Sequence, residues 1–189
     1  GGFQRPVNKD DTVAPNLYDL CKKHGYTLVG SYAEAQKNIK KRKMLLVPQV
    51  NLDNPNKGAE ALPYAIDQQE GDLNLAQIVD VAIQHLSKHE RFFMMAEGGK
   101  IDYAGHGNDG ATNIQEVLDF DRAIQVAYRF YEQHPDETLI VVTADHETGG
   151  MALGWDHYEI RMDVLMAQRA SAIELTKTIQ KMRAEGKRD

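Results

Sequence analysis

A single cysteine, Cys21, stands in a chain of 189 residues, so no internal disulfide can form and no thiolate cluster can hold a metal. Any metal site has to be assembled from His, Asp and Glu. Serine is scarce as well: Ser31, Ser87 and Ser171 are the whole supply. No apolar run reaches the roughly 18 residues that span a bilayer, which excludes a membrane span in this sequence. Basic side chains are in the minority, 22 against 28 acidic ones, and the formal net charge of −6 argues against non-specific attraction to nucleic acid. The local exception, Lys37, Lys40, Lys41, Arg42 and Lys43, reads as the solvated end of a helix. Internal repeats and low-complexity segments are lacking too. The start, Gly1-Gly2-Phe3, is neither a methionine nor a signal peptide, and it reads as a chain processed or cut from something longer. With 42% hydrophobic and 26% charged residues, the remainder has the balance of a soluble globular protein. The length suits one α/β domain or a large piece of a bigger one.

Short apolar runs alternate with longer amphipathic ones. A helix is predicted from Asn16 to His24, stopped by Gly25, then a strand over Tyr26 to Val29. Ser31, with Glu34 three residues on, opens a helix to about Asn38 as a capping box. Lys43 to Val50 reads as a buried strand interrupted by Pro48, and Asn51 to Pro63 as loop. The spacing of Leu75, Ile78, Val79, Ala82, Ile83 and Leu86 predicts a helix to His89 capped by Asn74. Phe92 to Ala96 reads as a buried strand with Met94 and Met95 in the core. Five glycines between 98 and 110 predict loop. A long helix follows over 114–133, with Ile114, Val117, Leu118, Ile124, Tyr128 and Tyr131 near one face, then a second buried strand from Thr138 to Ala144. From about Asp156 or His157 to Arg183 the pattern is helical, two helices meeting near Arg169. Strands alternating with helices of this length imply βαβ units and a mostly parallel sheet flanked by helices.

The chemistry gathers where two predicted strands end, the side on which open parallel sheets bind ligands. One strand ends in Glu97, followed by Asp102 and His106; the other ends in Asp145 and His146. A carboxylate at the tip of an apolar strand is costly to desolvate unless something compensates it. Three of them on one rim would repel one another without cations, so the pattern calls for divalent metals. Imidazole with carboxylate suits zinc, and an oxygen-only ligand such as Glu97 suits magnesium. Asp102 and His106 are four apart and would form a surface pair on a helix, but their glycine neighbours argue for loop. His24, His85, His89 and His134 read as solvated, and Glu147 as an outer-sphere or solvated group.

Glu97-Gly98-Gly99-Lys100-Ile101-Asp102 with His106, then Thr143-Ala144-Asp145-His146 after an intervening helix, resembles the alkaline phosphatases. Leu62-Pro63-Tyr64-Ala65, Asp121-Arg122-Ala123 and Glu147-Thr148-Gly149-Gly150 resemble the bacterial branch, so the likeness covers nearly the whole chain. The resemblance implies a partial alkaline-phosphatase-like α/β fold over residues 1–189, with 157–189 as a helical extension or cap. It implies that Glu97 binds magnesium, that Asp102 and His106 bind one zinc, and that Asp145 and His146 bind a second. It implies hydrolysis of phosphate monoesters by two-zinc in-line phosphoryl transfer to a serine, in a full-length parent that is periplasmic or exported and can be a homodimer.

Departures accompany the match. The family's serine nucleophile sits in an Asp-Ser-Ala-rich segment, and none of the three serines has that context. The aspartate that bridges zinc and magnesium, the arginine that clamps phosphate and a later zinc-ligand histidine have no counterpart here; His157, at the head of a helix, is not expected to substitute. Tyr103 occupies a position that varies within the family. Gly1-Gly2 resembles the glycine run after a mid-chain strand. The expectation is therefore an internal fragment, inactive alone, with weak or empty metal sites. Two other readings stand beside it: another phosphatase or phosphomutase of the same superfamily, and a non-catalytic metal-binding module.

Overall fold

The computed structural model describes residues 17–46, 62–152 and 161–187. They form two compact units, one from the described residues of Gly1–Pro63 and Glu70–Met95, the other from those of Tyr64–Gln69 and Ala96–Asp189.

The first unit is built on a short parallel ladder. Helix α1 (Leu17–Lys23) ends at Gly25, whose φ of +81° lets the Tyr26 and Gly25 amides turn back onto the Cys21 and Lys22 carbonyls. Strand β1 (Thr27–Val29) then leads into α2 (Tyr32–Asn38). The Ser31 side chain accepts from the Glu34 amide, as predicted, but the Glu34 carboxylate takes the Gly30 N–H rather than that of Ser31. Strand β2 (Met44–Leu46) pairs parallel with β1, Leu28 opposite Leu45. Helix α3 (Leu75–Leu86) carries the predicted Asn74 cap, closed into a reciprocal box by Gln77. Its Val81 meets Val29 and Ala35 in the core of this unit. Tyr32, Gln36 and Gln84 all donate to Asp80, which ties α2 to α3. His85 is half-buried rather than solvated, its Nδ1 3.2 Å from the Ile39 carbonyl. Residues 47–61 lie outside the described residues, and with them the predicted continuation of β2 to Val50.

From Phe92 onward the structure corrects the sequence reading in three places. First, the glycine-rich stretch is not loop: α4 (Gly99–His106) is an α-helix, so Asp102 and His106 stand one turn apart on it. Interior glycine costs a helix up to about 1 kcal/mol, yet Gly105 is required here, because a Cβ on it would sit 2.9 Å from the Thr148 carbonyl oxygen. Second, residues 92–96 and 138–144 are neither helix nor strand, and among the described residues neither has a ladder partner; the sheet among those residues is β1 with β2. Phe93 and Met95 are 88% and 82% exposed and Leu139 is 87% exposed, so these segments are not buried, and Met95 is no core residue. A strand is completed by its neighbours, and periodicity cannot say whether they are present. Third, helix α5 (Gly110–Gln133) buries Ala111, Thr112, Glu116, Asp119 and Ala123, whereas Val117, Leu118 and Tyr128 face out. The inward stripe keeps helical spacing but is partly polar, which hid it from a hydrophobicity count.

Asp109 joins three elements. It caps α5 through the Thr112 amide and hydroxyl, and also accepts from the Gln168 side chain and the Ala172 amide. Those last two bring in α6 (Met162–Ala167) and α7 (Ala172–Ala184), while Asp67 accepts from the Ser171 amide. Burial pushes the Asp109 carboxyl up, but the hydrogen bonds from Ala172, Thr112 and Gln168 outweigh it and hold it below its ordinary range. The break between α6 and α7 falls at 168–171, where the sequence predicted it. Residues 153–160, including His157, lie outside the described residues.

Glu116 accepts from the Ala65 amide of the 3-10 turn Ala65–Asp67. Burial raises its pKa from 4.5 to about 6, with help from Asp119 and Asp67 and opposition from the Ala65 amide and Lys100. An acid whose folded pKa lies above its unfolded one contributes stability that is fully present below the unfolded value and is lost as pH rises through the folded value. Glu116→Gln should therefore gain on the order of 1–2 kcal/mol at about pH 7.5, an allowance for partial solvent access included, and nothing near pH 4. Urea unfolding at the two pH values checks this; an equal difference at both would contradict it.

Candidate metal centre

Helix α4 is fixed on α5 through its first turn. The Asn113 side chain donates to the Ile101 carbonyl at 2.8 Å, and the Gly98 backbone lies against the Phe120 ring. The Lys100 ammonium sits 4.3 Å from the Tyr64 ring centroid, which holds the outer edge of the helix. Asp102 and His106 project from this frame, His106 Nε2 lying 3.4 Å from Asp102 Oδ1.

The corner at 145–150 packs directly on the same helix. Gly149 has φ +85°, and a Cβ there would overlap the Gly105 carbonyl. Glu147 braces the turn by accepting from the Gly150 amide at 2.5 Å. The packing lays Thr148 along α4, where its hydroxyl donates to Asp102 Oδ1 at 2.8 Å and lies 3.0 Å from His146 Nδ1. His146 Nε2 in turn lies 3.3 Å from Asp145 Oδ2. So Asp102, His106, Asp145 and His146 form one connected cluster through Thr148, although by helix packing rather than by the meeting of two strand tips in a sheet. The Glu147 carbonyl, then the charges of Asp145, Asp102 and Glu147, raise the His146 pKa.

Glu97 is exposed just before α4, its carboxylate oxygen within 3.2 Å of where a Gly99 Cβ would be. No hydrogen bond or ion pair among the described residues joins it to the other four. Nor do any three His, Cys, Asp or Glu side chains among the described residues stand close enough to hold one ion. The donors come in pairs.

The donor separation in each pair is compatible with two ligands of one zinc ion. With zinc bonds of about 2.0–2.2 Å at tetrahedral angles, an imidazole nitrogen and a carboxylate oxygen on one ion lie about 3.4 Å apart. A closed ion pair would shorten to about 2.7–2.9 Å. The two pairs stand at 3.4 and 3.3 Å, and their donor types suit zinc. Thr148 is the residue that sequence reasoning missed. The signal was there, a hydroxyl two positions beyond His146 and next to a glycine pair, but only packing shows which carboxylate it reaches.

The alkaline phosphatase family model matches residues 7–186. Alkaline phosphatase 3 of Bacillus subtilis is 37% identical over 157 residues, covering 82% of this chain and 31% of that protein. The crystal structure of a cold-active alkaline phosphatase from a psychrophilic Shewanella sp. superposes with a TM-score of 0.69 at 33% identity, over 84% of this chain and 37% of that one. A mutant of TAB5 alkaline phosphatase, solved with Mg bound, superposes at 0.60 and 31% identity, over 79% of this chain and 40% of that one. The chain spans between 25% and 31% of the length of the first curated relatives it matches. Its architecture is accordingly a partial alkaline-phosphatase-like α/β fold, helices with a small parallel sheet. By the extent of these matches, the chain belongs to the alkaline phosphatase family.

Proposed function

We propose that this chain carries the metal-holding part of a phosphomonoester hydrolase active site, Asp102 and His106 serving one zinc, Asp145 and His146 a second, and Glu97 a magnesium. The observation that supports this most is the Thr148 hydroxyl, which links Asp102 to His146 across 46 positions of sequence. When bound, such metals supply positive charge to an in-line phosphoryl transfer and lower the pKa of coordinated water toward about 7. The chain's own part is to hold two imidazoles and their carboxylates in fixed pairs on α4 and the 145–150 corner. The four groups are solvent-accessible, and two clefts beside α4, about 310 and 200 Å³, are lined by none of them. A substrate pocket would then need walls, a nucleophile and a phosphate clamp from the remainder of a full-length enzyme. That enzyme would act on phosphate monoesters, in the periplasm or after export. Among the described residues no helix is long and apolar enough to cross a membrane.

The division of labour is open to a direct assay. The 189-residue chain, with zinc and magnesium added, should leave p-nitrophenyl phosphate at the buffer rate, and the full-length enzyme should hydrolyse it. Turnover by the chain alone would refute the proposed split, and an inert full-length enzyme would refute the activity.

A further inference from the structure

We infer that Thr148 is a positioning residue, its single hydroxyl orienting one donor in each of the two pairs. The inference rests on the proposed metal site and adds to it the residue that couples the halves. The proton positions follow from what each partner can do. An ionised carboxylate only accepts, so the Thr148 hydroxyl hydrogen goes to Asp102 Oδ1 at 2.8 Å. The hydroxyl oxygen is then free to accept, and the group facing it at 3.0 Å is His146 Nδ1. The Glu147 carbonyl oxygen, also 3.0 Å from Nδ1, accepts as well. Both contacts call for a hydrogen on Nδ1, which in the neutral ring leaves the Nε2 lone pair free. Nε2 is the nitrogen that stands 3.3 Å from Asp145 Oδ2, on the side where that pair would meet an ion.

Thr148 cannot easily turn away from this arrangement. Its Cγ2 and Cβ lie 3.1 and 3.2 Å from the point where a Gly105 Cβ would be, so the methyl is seated on the backbone of α4. Seating the methyl aims the hydroxyl along the helix toward Asp102. Outer-sphere hydrogen bonds of this kind fix the tautomer and orientation of metal ligands.

Two variants of the chain separate hydroxyl from packing. Thr148→Val keeps the shape and loses the hydroxyl; Thr148→Ser keeps the hydroxyl. Zinc affinity, read by competition with a chromophoric chelator, should fall about 10–100-fold in Thr148→Val and stay within about threefold of the unmodified chain in Thr148→Ser. In the metal-free chains, side-chain couplings should report one Asp102 rotamer in the unmodified and serine forms and rotamer averaging in the valine form. Equal zinc affinity in all three, with the zinc on His106 and His146 by their NMR shifts, would overturn this inference alone. So would a loss in the valine form that serine does not rescue, or a single Asp102 rotamer throughout. Zinc uptake that leaves both histidine signals unmoved would overturn the site reading, and this inference with it.

Discussion

Replacing Gly149 with alanine should cost roughly 2–5 kcal/mol of folding stability and loosen the Asp102–Thr148–His146 cluster in the same step. Two terms add. A non-glycine residue held in the left-handed region, here at φ +85°, is strained by about 1–2 kcal/mol. The new Cβ would also collide with the Gly105 carbonyl, a backbone group inside α4 that cannot swing aside as a side-chain tip would. Overpacking of that kind adds typically 1–3 kcal/mol. Set against a total of about 5–15 kcal/mol for an ordinary domain, the sum is large. Gly150 is the internal control. It also has positive φ, +66°, but nothing lies within 4 Å of its would-be Cβ, so alanine there should cost only the strain term. Urea unfolding of both variants decides: equal losses would mean that the Gly105–Gly149 contact does not hold the corner on the helix.

In the full-length enzyme, Asp145→Ala should lower kcat/KM by at least about 10²-fold, more than the loss of an outer-sphere partner costs. The argument is one of charge and ligand count. Asp145 is the carboxylate that stands 3.3 Å from His146 Nε2, while the Glu147 carboxylate is taken by the Gly150 amide, so removing Asp145 leaves a lone imidazole to hold a divalent ion. Activity restored by a large excess of zinc would agree with lost affinity; unchanged kcat/KM at trace zinc would mean that Asp145 is not a ligand.

The two pairs stood out in the sequence because a carboxylate with an imidazole at short spacing is a donor set that suits zinc, and the structure brings each pair to 3.4 and 3.3 Å. Caps were readable for the same kind of reason: Ser31 and Asn74 satisfy helix amides that nothing else nearby could. Helix α4 was not readable. Its glycines lower helix propensity, and the reason for Gly105, passage of the Thr148–Gly149 backbone, is a tertiary contact 43 or more residues away. The inner face of α5 was missed because Glu116 and Asp119 are buried polar groups whose partners, the Ala65 amide and Arg122, are known only after folding. Residues 92–96 and 138–144 have strand composition, but a ladder is a property of at least two strands, and among the described residues no second one is supplied to either. The chain's share of its relatives' length, 25–31%, is consistent with that.

The account turns on two side-chain pairs, one on α4 and one on the 145–150 corner, each holding its own cation. Crystals of the chain grown with zinc, with diffraction recorded on both sides of the zinc absorption edge, test it most directly. The account predicts anomalous peaks within about 2.3 Å of His106 Nε2 and of His146 Nε2, with Asp102 and Asp145 beside them. Zinc peaks elsewhere on the surface, or a His106 side chain turned away from the Thr148 corner with no metal on either histidine, would contradict it.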